Sequence, residues 1–330
     1  MGYGGDHAKQ YNEQALHLIK VGEFDQAIRF LDNAIRIDDK RAIFYYNRAR
    51  ASIGMGDFDE AATDCKKALA LDPDKPAFHH GLGEVYMQQD RYQEALAAFE
   101  KASELRPENA TYLFGRGHAL SFLNRHRESN VLFGQAIRRR TLDPEISAWA
   151  PVHIGSNYLE LGDWDRSVRH FEKAIKLDPN NLVVYSDLGY CLLEQGNPQG
   201  AIYYLEESVR RGGAGLEEYC NISRAYMQLK EFDEAEKYLA IAIEKNASSP
   251  IPHSILGDLY RSKGDNVKAR KNYDWVLHIV EAIPKMDRND YRAAIRAQDG
   301  LGLMGIQVQK DYKVEALQKQ VLTPEMVNSI

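Results

Sequence analysis

GDFDEA, residues 56–61, is a phrase that the chain repeats in degenerate form along most of its length. The copies are GEFDQA from Gly22, GDFDEA from Gly56, DRYQEA from Asp90, NRHRES from Asn124, GDWDRS from Gly162, GNPQGA from Gly196, KEFDEA from Lys230 and GDNVKA from Gly264. Successive copies begin 34 residues apart, except for one step of 38 residues that follows Asn124. A fixed period in this range is typical of stacked supersecondary units that bury their apolar surfaces against one another.

Residues 42–75 show what one period contains. Apolar or small side chains recur every third or fourth residue in each half, which predicts two helices with one buried face each. Gly56 interrupts the pattern between the halves, and Pro73 ends the second half because proline cannot donate the next helical hydrogen bond. Small residues that let two helices pack closely recur in the second half of each period: Ala27 and Ala34, Ala61 and Ala68, Ala95 and Ala102, Ser129 and Ala136, Ser167 and Ala174, Ala201 and Ser208, Ala235 and Ala242, and Ala269 alone.

This pattern resembles the tetratricopeptide repeat family, whose 34-residue hairpin has small residues at places 8, 20 and 27 and an aromatic at place 17. The resemblance implies an all-α fold, a right-handed α-solenoid or superhelix of stacked helix-turn-helix hairpins. It divides the chain into eight units: 8–41, 42–75, 76–109, 110–147, 148–181, 182–215, 216–249 and 250–283.

The two ends lie outside these units. Residues 1–7 are rich in glycine and are predicted to be a flexible stub. Residues 284–310 are predicted to hold a capping helix that begins near Asp287, because an aspartate favours a helix start. For residues 311–330 we consider a further helix, a disordered end, or a segment that docks on the protein itself.

Unit four and unit six depart from the family pattern. Unit four has His126 and Ser129 where the family has an aromatic and alanine, and unit six has Pro198 at the aromatic place. Four extra residues fall in IRRRTLDPEISAWA, residues 137–150, at the junction of units four and five, and predict a longer helix or a longer loop between the units. Five arginines make this region the most basic in the chain: Arg125, Arg127, Arg138, Arg139 and Arg140. They are interpreted either as a docking patch for an acidic partner or phosphate, or as a solvated helix end where cations are favourable.

Composition and motifs argue against several classes of function. The net charge of −6 disfavours sequence-independent binding to the phosphates of a nucleic acid. No apolar run reaches the roughly 18 residues that span a membrane. The scattered Cys65, Cys191 and Cys220 suggest neither disulfides nor a zinc site, and so favour reduced thiols and the cytoplasm. The 35-residue RNA-binding helical hairpins are disfavoured by the strict period of 34 and the acidity.

Catalytic chemistry is not indicated either. The sequence lacks the glycine-rich phosphate-binding, zinc-protease and serine-hydrolase motifs, and it has no strand-rich segment to carry most of them. His118, His126, His153 and His170 have no ligand-type partner four residues away, and are interpreted as packing or surface residues. We therefore expect no enzyme activity, no cofactor and no metal.

The family resemblance implies a concave groove lined by the first helix of each hairpin. It assigns these candidate partner-binding residues to the groove: Asn12, Tyr46, Asn47, Arg50, His80, Glu84, Phe114, His118, Phe122, Trp149, Tyr190, Arg224 and Arg261. Aromatic residues and arginines dominate binding hot spots, although ordinary packing would explain the same residues. Of the five residues with which some family members clamp an acidic chaperone tail, only Asn47 has a match here, so such a clamp is not expected.

The leading hypothesis is a non-catalytic scaffold or adaptor that binds a peptide or helix of a partner protein in this groove. One alternative is a structural protein that forms homo-oligomers through its terminal repeats or its C-terminal tail. Another is a regulatory or assembly subunit of a larger complex.

Overall fold

The computed structural model describes residues 3–139, 144–213, 215–283, 285–308, 310–319 and 321–322. The chain divides into two compact units, Met1–Leu161 and Gly162–Ile330. From here on, "first unit" and "second unit" mean these two, and the eight sequence repeats are called repeat units. Within the described residues every regular element is an α-helix, as the all-α prediction requires.

The first unit is a stack of helical hairpins. Its helices are α1 Tyr3–Val21, α2 Phe24–Ile37, α3 Ala42–Met55, α4 Phe58–Leu71, α5 Pro76–Gln88, α6 Tyr92–Leu105, α7 Ala110–Phe122, α8 His126–Ile137 and α9 Pro144–Glu160. Helices α1 to α8 pair consecutively into hairpins that pack on their neighbours, and α9 packs against α7 and α8. Because α1 begins at Tyr3, residues 3–7 are helical and not the flexible stub that their glycines suggested.

The second unit repeats this arrangement and adds two helices. Its helices are α10 Trp164–Leu177, α11 Leu182–Glu194, α12 Pro198–Arg210, α13 Leu216–Gln228, α14 Phe232–Lys245, α15 Pro250–Ser262, α16 Asn266–Glu281, α17 Arg288–Leu303 and α18 Tyr312–Gln318. Helix α10 packs on α11, and α11 to α16 form three hairpins. Helix α17 packs against both α15 and α16, and α18 packs on α17.

The repeated phrase marks a left-handed turn between the two helices of a hairpin. Its first residue has a positive φ in all eight copies: Gly22, Gly56, Asp90, Asn124, Gly162, Gly196, Lys230 and Gly264. Glycine adopts this conformation without steric cost, and asparagine and aspartate tolerate it better than other residues do. Lys230, with φ 62°, is the one copy with a residue type poorly suited to the turn.

The small residues of the repeat pattern lie where the two helices of a hairpin approach most closely. The fifteen small residues of the repeat pattern are all at most 1% exposed, and so are buried between helices. Large rings fill the space beside them. A Cβ atom at Gly83 would lie 2.6 Å from the Phe99 ring, so the backbone and the ring are in direct contact. This packing explains why residue size recurs with the period.

The two departures from the pattern are accommodated locally. Pro198 is at the start of α12, where its missing N–H needs no partner, and the Asn197 side chain accepts a hydrogen bond from Gly200 N at 3.0 Å. The insertion lengthens a helix, since α9 starts at Pro144, four residues before the predicted start of repeat unit five. Arg140 and residues 141–143 lie outside the described residues.

Candidate functional site

Helices α7 and α9 bring five rings of the first unit together. We call this group, Phe114, His118, Phe122, Trp149 and His153, the aromatic surface. Ring centroids lie 5.2 Å apart for His118 and Phe122, 4.8 Å for His118 and His153, and 6.3 Å for Trp149 and His153. Phe114 contacts His153 at 5.4 Å. The rings therefore form one continuous layer across two helices.

Helical spacing explains the layer, and neighbouring rings support it. Phe114, His118 and Phe122 are four residues apart on α7, as Trp149 and His153 are on α9, so each set shares a helix face. The buried Phe133 ring lies beneath, 5.1 Å from Phe114 and 5.3 Å from His153. At the outer edge Phe122 is 50% exposed and Trp149 is 47% exposed. Two large apolar side chains thus face solvent above a packed base.

The two imidazoles of the aromatic surface are uncharged near neutral pH. Burial lowers the pKa of His118 below its usual range. Burial, with a smaller contribution from His118, lowers the pKa of His153 to about 3. Loss of hydration disfavours the protonated ring in both cases. The aromatic surface is therefore apolar and carries no charge of its own.

A buried polar network fixes α9 against α7 and α8. Asn157 Nδ2 donates to Ser129 Oγ at 3.0 Å and to Asn130 Oδ1 at 2.8 Å, while its Oδ1 lies 3.0 Å from His126 Nδ1. Ser129 Oγ donates to the Gly117 carbonyl at 2.7 Å. His126 and Ser129, which depart from the family pattern, are thus partners of Asn157 and hold the aromatic surface in place.

Several predicted groove residues of the first unit are packing residues. Asn47 is only 2% exposed and donates to Asn12 Oδ1 at 2.7 Å, so its side chain is buried and engaged within the chain. Tyr46 is half-buried against Phe78, with ring centroids 4.8 Å apart. His80 is half-buried and lies 5.2 Å from the Phe99 ring centroid.

Two charged residues predicted to line the groove do face solvent. Arg50 and Glu84 are exposed on α3 and α5. Glu84 Oε2 lies 3.5 Å from His80 Nδ1, on the preceding turn of the same helix. The structure therefore leaves the predicted groove of the first unit open at charged positions as well as at the aromatic surface.

The predicted residues of the second unit are occupied by contacts within the chain. Arg224 Nη2 lies 2.7 Å from Glu194 Oε1, and its guanidinium lies 6.0 Å from the Tyr190 ring centroid. Arg261 is 3.7 Å from Asp258 Oδ1. These side chains neutralise one another, in contrast with the exposed rings of the first unit.

The predicted basic patch is divided by helix α8. Arg125 precedes the helix and pairs with Glu128 at 2.7 Å, whereas Arg138 and Arg139 follow its last turn. A helix of this length separates its ends by about 18 Å. Arg139 Nη2 donates to the Pro107 carbonyl at 3.3 Å. Arg127 is exposed near the first end, so the four described arginines form two separate groups.

Metal ligands, thiols and apolar helices are the remaining features that bear on function. That part of the chain contains no group of three or more His, Cys, Asp or Glu side chains placed to hold a metal ion. Cys65, Cys191 and Cys220 are buried free thiols, and burial raises the pKa of each to about 12. None of the helices that the structure describes combines the length and apolar character of a membrane span.

Sequence reasoning missed two residues that matter to the aromatic surface. His153 is at place six of repeat unit five and was not among the residues assigned to the groove, although its spacing of four from Trp149 was a usable signal. Tyr92 stacks on Phe122 with ring centroids 4.8 Å apart, a contact between α6 and α7 that no local pattern reveals.

Comparison with known proteins agrees with this fold. Stress-induced-phosphoprotein 1 of Caenorhabditis elegans is 22% identical over 136 residues, which cover 41% of this chain and 42% of that relative. PilF of Pseudomonas aeruginosa has a similar structure, with a TM-score of 0.58 and 20% identity over 67% of this chain and 98% of that one. A tetratricopeptide repeat protein from Parabacteroides merdae has a TM-score of 0.56 and 16% identity, over 78% of this chain and 98% of that one.

Family profiles give the assignment. One profile of the tetratricopeptide repeat matches residues 12–76, 154–215 and 220–276, and a second profile of the same description matches residues 52–113. The first profile alone covers more than half of the chain. With its repeated helical hairpins, the chain belongs to the tetratricopeptide repeat family.

Proposed function

We propose that the chain is a non-catalytic scaffold that binds a segment of a partner protein through a large apolar side chain seated on the aromatic surface. Membership of a repeat family that serves protein interaction supports the general role. The observation that carries the specific proposal is the pair of half-exposed rings, Phe122 and Trp149, above a packed and uncharged layer.

The chemistry of the aromatic surface favours a protein segment over a charged ligand. The neutral His118 and His153 supply no positive charge for a phosphate or a nucleic acid backbone. Large exposed rings on one continuous aromatic layer mark an interaction surface, because removing them from water on binding is favourable. Exposed Arg50 and Glu84 on α3 and α5 offer charged contacts to the flanking residues of such a segment.

The experiment selects binders with the full chain from a random peptide library and measures their affinity by titration. We expect Phe122→Ala and Trp149→Ala each to weaken binding at least tenfold. The matched control is Val131→Ala, because Val131 is 58% exposed on α8 of the same unit. Peptides that bind both alanine variants as tightly as the unchanged chain would overturn the proposal.

The proposal includes an adaptor role in the assembly of a larger complex. It also includes a cytoplasmic location, and the buried free thiols support that location. Self-assembly through the C-terminal tail stays a prediction. Tyr312 and Ala316 of α18 are already buried in contact with the same chain, at 1% and 0% exposure. Sedimentation of the full chain at increasing concentration tests self-assembly independently of the peptide titration.

A further inference from the structure

Helix α17 contacts the first helices of hairpins within the second unit. Asn289 Nδ2 donates to Glu217 Oε1 on α13 at 2.9 Å, although the two residues are 72 positions apart. Arg296 Nε lies 3.4 Å from Asp258 Oδ2 on α15. Asp258 is at place nine of the repeat unit 250–283, on the side that the family resemblance assigns to partner binding. The position of α17 therefore coincides with the predicted binding side of these hairpins.

That side of the second unit is rich in carboxylates. We call the following residues of α11, α13 and α15 the acidic face: Asp187, Glu194, Glu217, Glu218 and Asp258. Burial, together with the negative charges of Glu217 and Glu218, raises the pKa of Asp187 to about 6. Glu218 Oε1 also accepts a hydrogen bond at 2.6 Å from the hydroxyl of Ser186, the neighbour of Asp187 in the sequence. Arg224, paired with Glu194, and Arg261, 3.7 Å from Asp258, offset part of this charge.

Helix α17 supplies the complementary positive charge. Its Arg296 side chain is 18% exposed and lies against Asp258. Burial raises the pKa of Tyr190 on α11, and the positive charge of Arg292, one turn before Arg296, offsets part of that rise. The two arginines are four residues apart and so lie on one side of the helix, Arg296 against Asp258 and Arg292 towards Tyr190.

The rest of α17 makes an apolar contact. Tyr291, Ile295 and Leu301 are at most 1% exposed, and they belong to the buried cluster that also contains residues of α16 and α18. Gly300 lies directly beneath the Tyr273 ring of α16, where a Cβ atom would be 2.3 Å away. The helix is therefore amphipathic, with one side apolar and one side carrying arginines.

We propose that the acidic face is a binding surface for an amphipathic helix with arginines four residues apart, and that α17 is its resident occupant. A partner helix of the same chemistry binds by displacing α17. Because α17 is tethered to the site, its effective concentration there is on the order of millimolar, so only a well-matched partner competes. This second surface is distinct from the aromatic surface of the first unit and rests on different contacts.

A titration of the full chain tests the proposal with a fluorescent peptide of residues 285–308. In the double variant Arg292→Glu and Arg296→Glu, α17 loses its electrostatic attraction to the acidic face and competes less well with the peptide. We therefore expect this variant to bind the peptide at least tenfold more tightly than the unchanged chain does. A peptide that carries the same two glutamates should not bind. The matched control is Arg270→Glu on α16, an exposed arginine that pairs with Asp274 at 3.3 Å, and it should behave like the unchanged chain.

Hydrogen exchange on the unchanged chain gives a second measurement that does not depend on the folding of the variant. At saturating peptide we expect the amides of α17 to exchange faster while those of α11 to α16 stay protected. Equal peptide binding by the double variant and the unchanged chain would overturn the proposal. So would equal binding of the arginine and glutamate peptides, or unchanged exchange of α17 at high peptide concentration. Failure of these tests leaves the aromatic-surface proposal intact, since that one is measured with Phe122 and Trp149 variants.

Discussion

Replacing Asn157 with alanine should loosen the packing that holds the aromatic surface. The side chain is 2% exposed and makes three hydrogen bonds, to Ser129, Asn130 and His126, at 2.8 to 3.0 Å. Each net bond contributes about 1 kcal/mol, and a buried group left without its partner costs about 1–3 kcal/mol. We expect Asn157→Ala to lower the free energy of unfolding by about 2–4 kcal/mol, a range that follows from these costs.

Urea denaturation measures this loss, and hydrogen exchange locates it. Because repeat arrays open locally, the amides of α9 should exchange faster in the variant than those of α1 to α4. Ser156→Ala is the matched control, since the Ser156 hydroxyl donates to the Val152 carbonyl of its own helix, one turn back, at 3.1 Å. Its expected effect is under about 0.5 kcal/mol.

The triple variant His126→Phe, Ser129→Ala and Asn157→Leu provides a further check on the network. It replaces Asn157 and two of its three polar partners together by apolar groups, and so should recover part of the lost stability. A cost of less than about 1 kcal/mol for Asn157→Ala, with unchanged exchange of α9, would refute the role of this network.

Three further predictions concern the turns and the imidazoles. Lys230→Gly should stabilise the chain by about 1 kcal/mol, because the left-handed turn strains a lysine; an unchanged urea midpoint would contradict this. Gly56→Ala, at φ 86°, should destabilise it by about 1–2 kcal/mol in the same assay, and a neutral result would contradict the role of the turn. The low pKa of His153 means that the unfolded chain binds more protons between about pH 6.5 and pH 3, so this contribution to stability is lost as the pH falls through that window. Between pH 7 and 5 the unchanged chain should lose on the order of 1–2 kcal/mol more than His153→Phe, and parallel pH profiles would refute this.

The periodic features of the fold were predictable from the sequence because they depend on local spacing. The phrase around Gly56 indicates a hairpin, since its small residues and its left-handed first residue are required by contacts within one period. Phe114, His118, Phe122 and Trp149 were found by their places in the repeat unit, and the structure brings these four together. Asn47, also at a predicted place, is buried and donates a hydrogen bond to Asn12 of the preceding repeat unit.

The remaining features depend on contacts between distant parts of the chain. His126 meets Asn157 across 31 positions, and no repeat pattern encodes that pairing. The contact of Asn289 with Glu217 depends on where α17 comes to lie after the last hairpin. The five arginines fall within 16 residues of the sequence and were predicted as one patch, but Arg125 and Arg138 lie at opposite ends of α8. Sequence spacing therefore predicted the faces of helices better than the neighbours of those faces.

The measurement that tests the central claim most directly is covalent capture at the aromatic surface. A photoreactive amino acid replaces Phe122 in the full chain, and the same amino acid replaces Val131 in a control chain; both residues are at least half exposed in the first unit. After illumination with a peptide chosen for tight binding, mass spectrometry locates the adducts. We predict an adduct at position 122 through an apolar residue of the peptide and none at position 131. Equal capture at both positions, or capture at 131 alone, would contradict the claim that the aromatic surface binds the partner.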